Sequence, residues 1–112
     1  MHEFTKNEKF VKVDLLRHFD EIEVDTRRNC VVVEAGVTYN RLVEELFKAK
    51  KAIESVPSWS NILVIEAILG GCHGGGPKIK SSANYVTKIE FVDHQGQVKN
   101  LEKNDKDFSQ LF

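Results

Sequence analysis

Residues Gly70 to Lys80 read GGCHGGGPKIK and hold five of the chain's seven glycines, with one of its two cysteines and one of its four histidines. A thiol and an imidazole beside a backbone largely free of Cβ atoms could serve three kinds of chemistry. Metal binding would need Cys72 and His73 to act with His94 and Cys30. Adjacent residues rarely chelate one ion, however, and no second C-x-x-C or H-x-x-x-H pair exists, so the spacing argues against zinc. Anion or cofactor binding needs consecutive amides that form a concavity and a backbone that can come close to a ring or phosphate, which glycine permits. The third reading is a flexible surface loop without chemistry.

Two familiar phosphate-binding patterns fail on inspection. A Walker loop needs G-x-x-x-x-G-K-[ST]; Gly71 and Gly76 have the separation, but Pro77 precedes Lys78 and Ile79 stands where a hydroxyl would bind magnesium. A dinucleotide fingerprint needs G-x-G-x-x-G; Gly74 and Gly76 supply two positions and Ile79 occupies the third.

The elements that must position this segment read as one mixed α+β unit without repeats. Phe10 to Leu16 and Glu21 to Asp25 alternate in the way of strands. Arg27, Arg28 and Asn29 form a polar turn, and the apolar, β-branched run Cys30 to Val37 suits a buried strand. Thr38 is a candidate N-cap for a helix whose stripe is Tyr39, Leu42, Val43, Leu46 and Phe47, with Lys48, Lys50 and Lys51 placed at its last turn. Ser55 to Asn61 is a loop, and ILVIEAIL fits strand or helix equally. Tyr85 to Asp93 reads as a strand with Thr87, Ile89 and Phe91 on one face, returning through a turn at Gly96 to Val98–Glu102. Asp105 to Phe112 reads as the opening of a helix with Asp105 and Asp107 as capping acids.

Composition limits the function classes. With 112 residues, 41% hydrophobic and 29% charged, the chain is one globular domain or part of one. A net charge of −1 provides no field for nucleic acid or an anionic membrane. The longest apolar run, Ile62 to Leu69, is broken by Glu66, and the first residues lack the apolar core of a signal peptide. Two cysteines without redox spacing make a reduced cytoplasmic setting the default expectation.

Four pieces in order carry a further identification: VEAGVTYNRLVEEL, the loop around Pro57 and Ser58, GGCHGGG, and the hairpin VTKIEFVDHQGQV. Together they resemble the FAD-binding domain of the FAD-linked oxidase superfamily, the fold of p-cresol methylhydroxylase and vanillyl-alcohol oxidase. The likeness is closest to the sugar-lactone oxidase branch. It implies the second subdomain of such a domain, a mostly antiparallel sheet flanked by helices. It also implies that residues 1–112 form a partial domain, without the phosphate-loop half that would precede them and the substrate domain that would follow. The reaction implied is oxidation of a C–H beside a hydroxyl, on a sugar lactone or related alcohol, with no turnover by this chain alone.

The same likeness implies the site. Pro57, Ser58, Ser60, Asn61 and Ile62 of the loop would line FAD, together with Ala67, Val86 and the turn residues Gly70, Gly71, His73, Gly74, Gly75 and Gly76. His73 would either hydrogen-bond flavin or satisfy a loop carbonyl. Lys78 and Lys80 would contact phosphate or simply be solvated.

Several residues depart from the family pattern. Ile65 and Glu66 stand where small residues are usual, and a carboxylate beside a pyrophosphate is repelled unless it points away. Lys80 replaces a glycine, and Cys72 takes a threonine's place as a packed residue. Trp59 occupies the position where a related branch carries a flavin-bonded cysteine, so no covalent link is expected there. These departures motivate an alternative: a cofactor-less, non-enzymatic form of the fold whose uncovered apolar face meets a second chain or another copy of itself.

Overall fold

The computed structural model describes residues 18–112, so the alternating segment Phe10 to Leu16 lies outside the described residues. Strand β1, Ile22–Asp25, pairs antiparallel with β2, Cys30–Val33, in the register Ile22 to Val33 and Asp25 to Cys30. The Asp25 carboxylate closes the connection by accepting the amides of Arg27 and Arg28, each at 3.0 Å. Asn29 completes the turn at φ 53°, a conformation asparagine tolerates better than most residues.

β2 is shorter than its apolar run and is covered on one face alone. Val31 and Val33 pack on the core, whereas Cys30 and Val32 are exposed. The expectation of a buried strand over Cys30 to Val37 is therefore corrected. A two-stranded ribbon offers one face to a helix, and period-2 alternation sends every second residue outward.

Helix α1, Tyr39–Lys48, starts at Thr38, whose hydroxyl accepts the Arg41 amide. Its stripe divides: Tyr39, Leu42 and Leu46 are buried with Val37, while Val43 and Phe47 face outward. Of the three lysines expected in the last turn, Lys48 alone is helical and pairs with Glu45. Lys50 takes φ 55° and terminates the helix, and the Lys51 amide then reaches back to the Leu46 carbonyl.

The ambiguous run becomes helix α2, Val64–Leu69. Val64 and Ala67 join Tyr39, Leu42 and Leu46 in the core. Glu66 reaches back to accept the Leu63 amide at 3.1 Å, half of a capping box, since Leu63 has no side-chain oxygen to return the bond.

A 3-10 turn, Ser82–Tyr85, takes the start of the expected long strand, so β3 covers Lys88–Val92 and pairs with β4, Val98–Glu102. Ile89, Phe91 and Leu101 are half-buried; Thr87 falls before the strand and is exposed, which corrects its expected place on that face. In the turn, Asp93 accepts the amides of Gln95 and Gln97, and Gly96 takes φ 79°.

No α-helix follows. The Asp105 carboxylate accepts the Glu102 amide at 2.7 Å and so ties off β4, not a helix. Asp107 precedes a 3-10 turn, Phe108–Gln110, without a side-chain cap bond. Phe108 is buried and meets Phe112 edge to face at 5.5 Å. The class is α+β, with two small antiparallel sheets and a few short helices among the described residues.

Candidate functional site

Helix α1 organises everything around the glycine turn. The loop before α2 is strapped across its N-terminus: the Tyr39 and Asn40 amides donate to the carbonyls of Ile62 and Ser60, both at 3.0 Å, and the Val64 amide donates to Val37 at 2.8 Å. These bonds satisfy first-turn donors that no helical carbonyl can reach. The Ser60 hydroxyl adds a bond to the Asn40 side chain.

The chain leaves α2 through Gly70, whose amide and that of Cys72 donate to Glu66 and Ala67. Gly71 then takes φ 65°, a region that penalises any Cβ. Gly74 has no such conformation. It is buried, and its amide donates to the hydroxyl of the fully buried Ser55 at 3.1 Å. A Cβ on Gly74 would point inward, 3.5 Å from Val56 O and Ile79 Cγ2. A Cβ on Gly76 would press on Ile79 at 2.7 Å, whereas one on Gly75 would meet nothing within 4 Å. Among the described residues, no acceptor faces the amides of Gly75 and Gly76. The turn therefore exposes a backbone without side chains at Gly75 and fills the space behind it.

Its far end is fixed as well. Ser82 N donates to the Cys72 carbonyl, and the Tyr39 hydroxyl donates to Ser82 Oγ at 2.9 Å in the interior. Cys72 is half-buried against the core. His73 Nδ1 lies 2.9 Å from the Gly74 carbonyl. A carbonyl can only accept, so Nδ1 carries the proton that it donates.

The expected site residues are thus distributed unevenly. Pro57 and Gly74 are buried next to the Ser55 bond, and Ala67 is buried in the core, where its carbonyl holds the turn through Cys72. Ser58, Asn61, Gly70, Gly71 and Gly75 are exposed; Ser60, Ile62, Gly76 and Val86 are half-buried. Trp59 is 70% exposed on the loop, and Lys78 and Lys80 are exposed. Glu66, the residue whose charge opposed an anion, is occupied by the Leu63 amide.

Sequence reasoning missed Ser55, Tyr39 and Ser82 as the residues that hold the turn. Ser55 precedes Val56 and Pro57 at the start of a loop read only as polar, so it carried no distinct signal. Tyr39 and Ser82 carried none either.

The arrangement suits a ligand that accepts hydrogen bonds from backbone and tolerates close approach. Among the described residues, no group of three or more His, Cys, Asp or Glu could hold a metal ion, and no helix is long and apolar enough to cross a membrane. Tested against FAD, the residues fit: Gly75 offers a face that a Cβ would fill, the amides of Gly75 and Gly76 have no partner among the described residues, and the Glu66 carboxylate is turned to the Leu63 amide.

Comparisons with known proteins agree. A family profile described as an FAD binding domain matches residues 3–102. L-gulonolactone oxidase 5 of Arabidopsis thaliana is 32% identical over 85 residues, which is 74% of this chain. The chain spans 14% of that relative's length. No solved structure matches. A match over residues 3–102 covers most of the 112, and the chain belongs to the FAD binding domain family.

Proposed function

We propose that the chain is the second part of a p-cresol methylhydroxylase-type FAD-binding domain, and that the glycine turn with the loop before it cradles the cofactor. The observation that carries this reading is the turn itself: Gly74 is anchored inward by Ser55, while Gly75 is open and its amide has no partner among the described residues. When bound, FAD supplies the capacity to accept a hydride; this chain's share is to bind and orient it.

Pro57 and Ile62 would shape the loop wall, with Ser58, Ser60 and Asn61 as polar edges. Gly70, Gly71, Gly75 and Gly76 would supply close-approach backbone, and Val86 an apolar border. With His73 Nδ1 donating to the Gly74 carbonyl, Nε2 would be the ring nitrogen turned to a ligand. The relative's name indicates a sugar-lactone substrate, which extends to oxidation at a CH–OH group in this chain's own assembly. Purification tests the reading: protein carrying flavin absorbance near one equivalent, or taking it up from added FAD, supports it. Colourless protein that remains so in excess FAD counts against it.

One observation favours the second reading, an interaction module. Val43, Leu46, Phe47, Ala52, Ile53 and Val56, with Lys51 among them, line a largely apolar groove of about 250 Å³ in which Phe47 is 80% exposed. Sedimentation over a range of concentrations separates the two, because a module of this kind self-associates or needs a partner, and a monomer at all concentrations removes its motive.

A further inference from the structure

One side chain holds the glycine turn from inside. Ser55 is fully buried, and its hydroxyl accepts the Gly74 amide across 19 residues of sequence. The Cβ position on Gly74 is enclosed by Val56 O, Ile79 Cγ2 and Ser55 Oγ, at 3.5, 3.5 and 3.6 Å. Around the same position on Gly75 there is nothing within 4 Å. The chain passes from an inward anchor to an outward opening in one residue, and the anchor is a single hydroxyl oxygen. A buried amide requires an acceptor. Here a side chain provides it, so it can be removed without cutting any backbone ladder.

We infer that Ser55 is a positioning residue of the turn: by fixing the Gly74 peptide it presents the Gly75 and Gly76 amides, already ordered, to an approaching ligand. The identity of that ligand as FAD rests on the reading above; the ordering of the turn does not. Consecutive glycines lose more conformational freedom on binding than any other residues. A turn held at Gly74 has lost part of that freedom beforehand, which strengthens binding without adding a contact to the ligand. Removal of the hydroxyl therefore weakens binding through the turn and beyond any general loss of stability.

The test uses the full chain and three variants, Ser55→Ala, Ser55→Thr and Val24→Ala. Val24 packs on the core from β1 and serves as the control for destabilisation alone. Amide resonances and exchange of Gly74, Gly75 and Gly76 are recorded without ligand, and FAD is titrated by flavin fluorescence. In Ser55→Ala we expect altered, faster-exchanging glycine amides and FAD affinity lower by about tenfold. Ser55→Thr should restore most of both, and Val24→Ala should keep parental affinity within about twofold, as a distant site does.

Affinity that falls in Ser55→Ala and Val24→Ala in proportion to their melting temperatures overturns the inference, since Ser55 then acts on stability alone. Unchanged glycine amides with unchanged affinity in Ser55→Ala overturn it as well. A parent that takes up no FAD, while Ser55→Ala still loosens the glycine amides, overturns the flavin reading and supports the ordering role. Should Ser55→Ala not fold, Ser55→Cys, close in shape and a weaker acceptor, takes its place with the same outcomes.

Discussion

The hydroxyls of Tyr39 and Ser82 meet at 2.9 Å inside the protein although 43 residues separate them. Tyr39 opens α1 and Ser82 opens the 3-10 turn after the glycine segment, so this bond joins the helix to the far end of the turn. Both residues are almost fully buried, Tyr39 at 1% and Ser82 at 4% exposure. Breaking the bond from either side leaves a buried oxygen without its partner. Tyr39→Phe or Ser82→Ala should each cost about 1–3 kcal/mol in urea unfolding, and the double variant should cost clearly less than the sum.

The glycines of the turn should differ in what they tolerate. Gly71→Ala must adopt φ 65° with a Cβ and should lose about 1–2 kcal/mol. Gly76→Ala places its Cβ 2.7 Å from the terminal methyl of Ile79, a side chain able to move. Its cost should therefore be smaller in an Ile79→Ala background than in the parent. Thermal melts of the single and double variants check both expectations.

Much of the scaffold around the turn was legible in the sequence, because local chemistry determines it. Thr38 caps α1, Asp93 and Gly96 form the hairpin turn, and Arg27 to Asn29 form the first connection. What failed depended on tertiary packing. The stripe of α1 has five apolar members, but β1 and α2 cover only the side holding Tyr39, Leu42 and Leu46, so Phe47 faces outward. The run from Asp105 looked like a helix start, yet Asp105 is used by Glu102 and the chain turns instead. Within the candidate site, the glycine turn was evident from composition. The Ser55 and Tyr39 bonds that shape it were not, since a hydroxyl's partner 19 or 43 residues away has no sequence signature.

Glu66 should prove neutral toward an anionic ligand. Its carboxylate is turned to the Leu63 amide at the start of α2 and is exposed, so solvent screens its charge. Glu66→Gln keeps an acceptor for that amide while removing the charge, and FAD affinity should stay within about twofold of the parent. A large gain in affinity on titration would show that the carboxylate opposes the ligand after all.

Stability in alkali should report on Tyr85. Burial foremost, and then the Glu54 carboxylate, raise its phenol above the ordinary value of 10.0, against a smaller opposing bond from the Lys80 backbone. A raised phenol favours the neutral form in the folded state. Its contribution is therefore complete below pH 10.0 and is lost as pH rises through the higher folded value. The stability difference between the parent and Tyr85→Phe should be constant below pH 10.0 and should shift in favour of the variant as pH rises from there through the folded value, as measured by urea unfolding at paired pH values.

The most direct measurement compares how far FAD raises the melting temperature of the parent and of Gly75→Val. The valine side chain enters a space that is open in the free protein, with nothing within 4 Å of the Cβ position, so the unliganded variant should melt within a few degrees of the parent. Linkage requires the shift caused by FAD to follow its affinity for the folded state. A clear shift in the parent that largely disappears in Gly75→Val is the result predicted. Equal shifts in both proteins, or none in the parent at saturating FAD, would contradict the assignment of the glycine turn as the cofactor cradle.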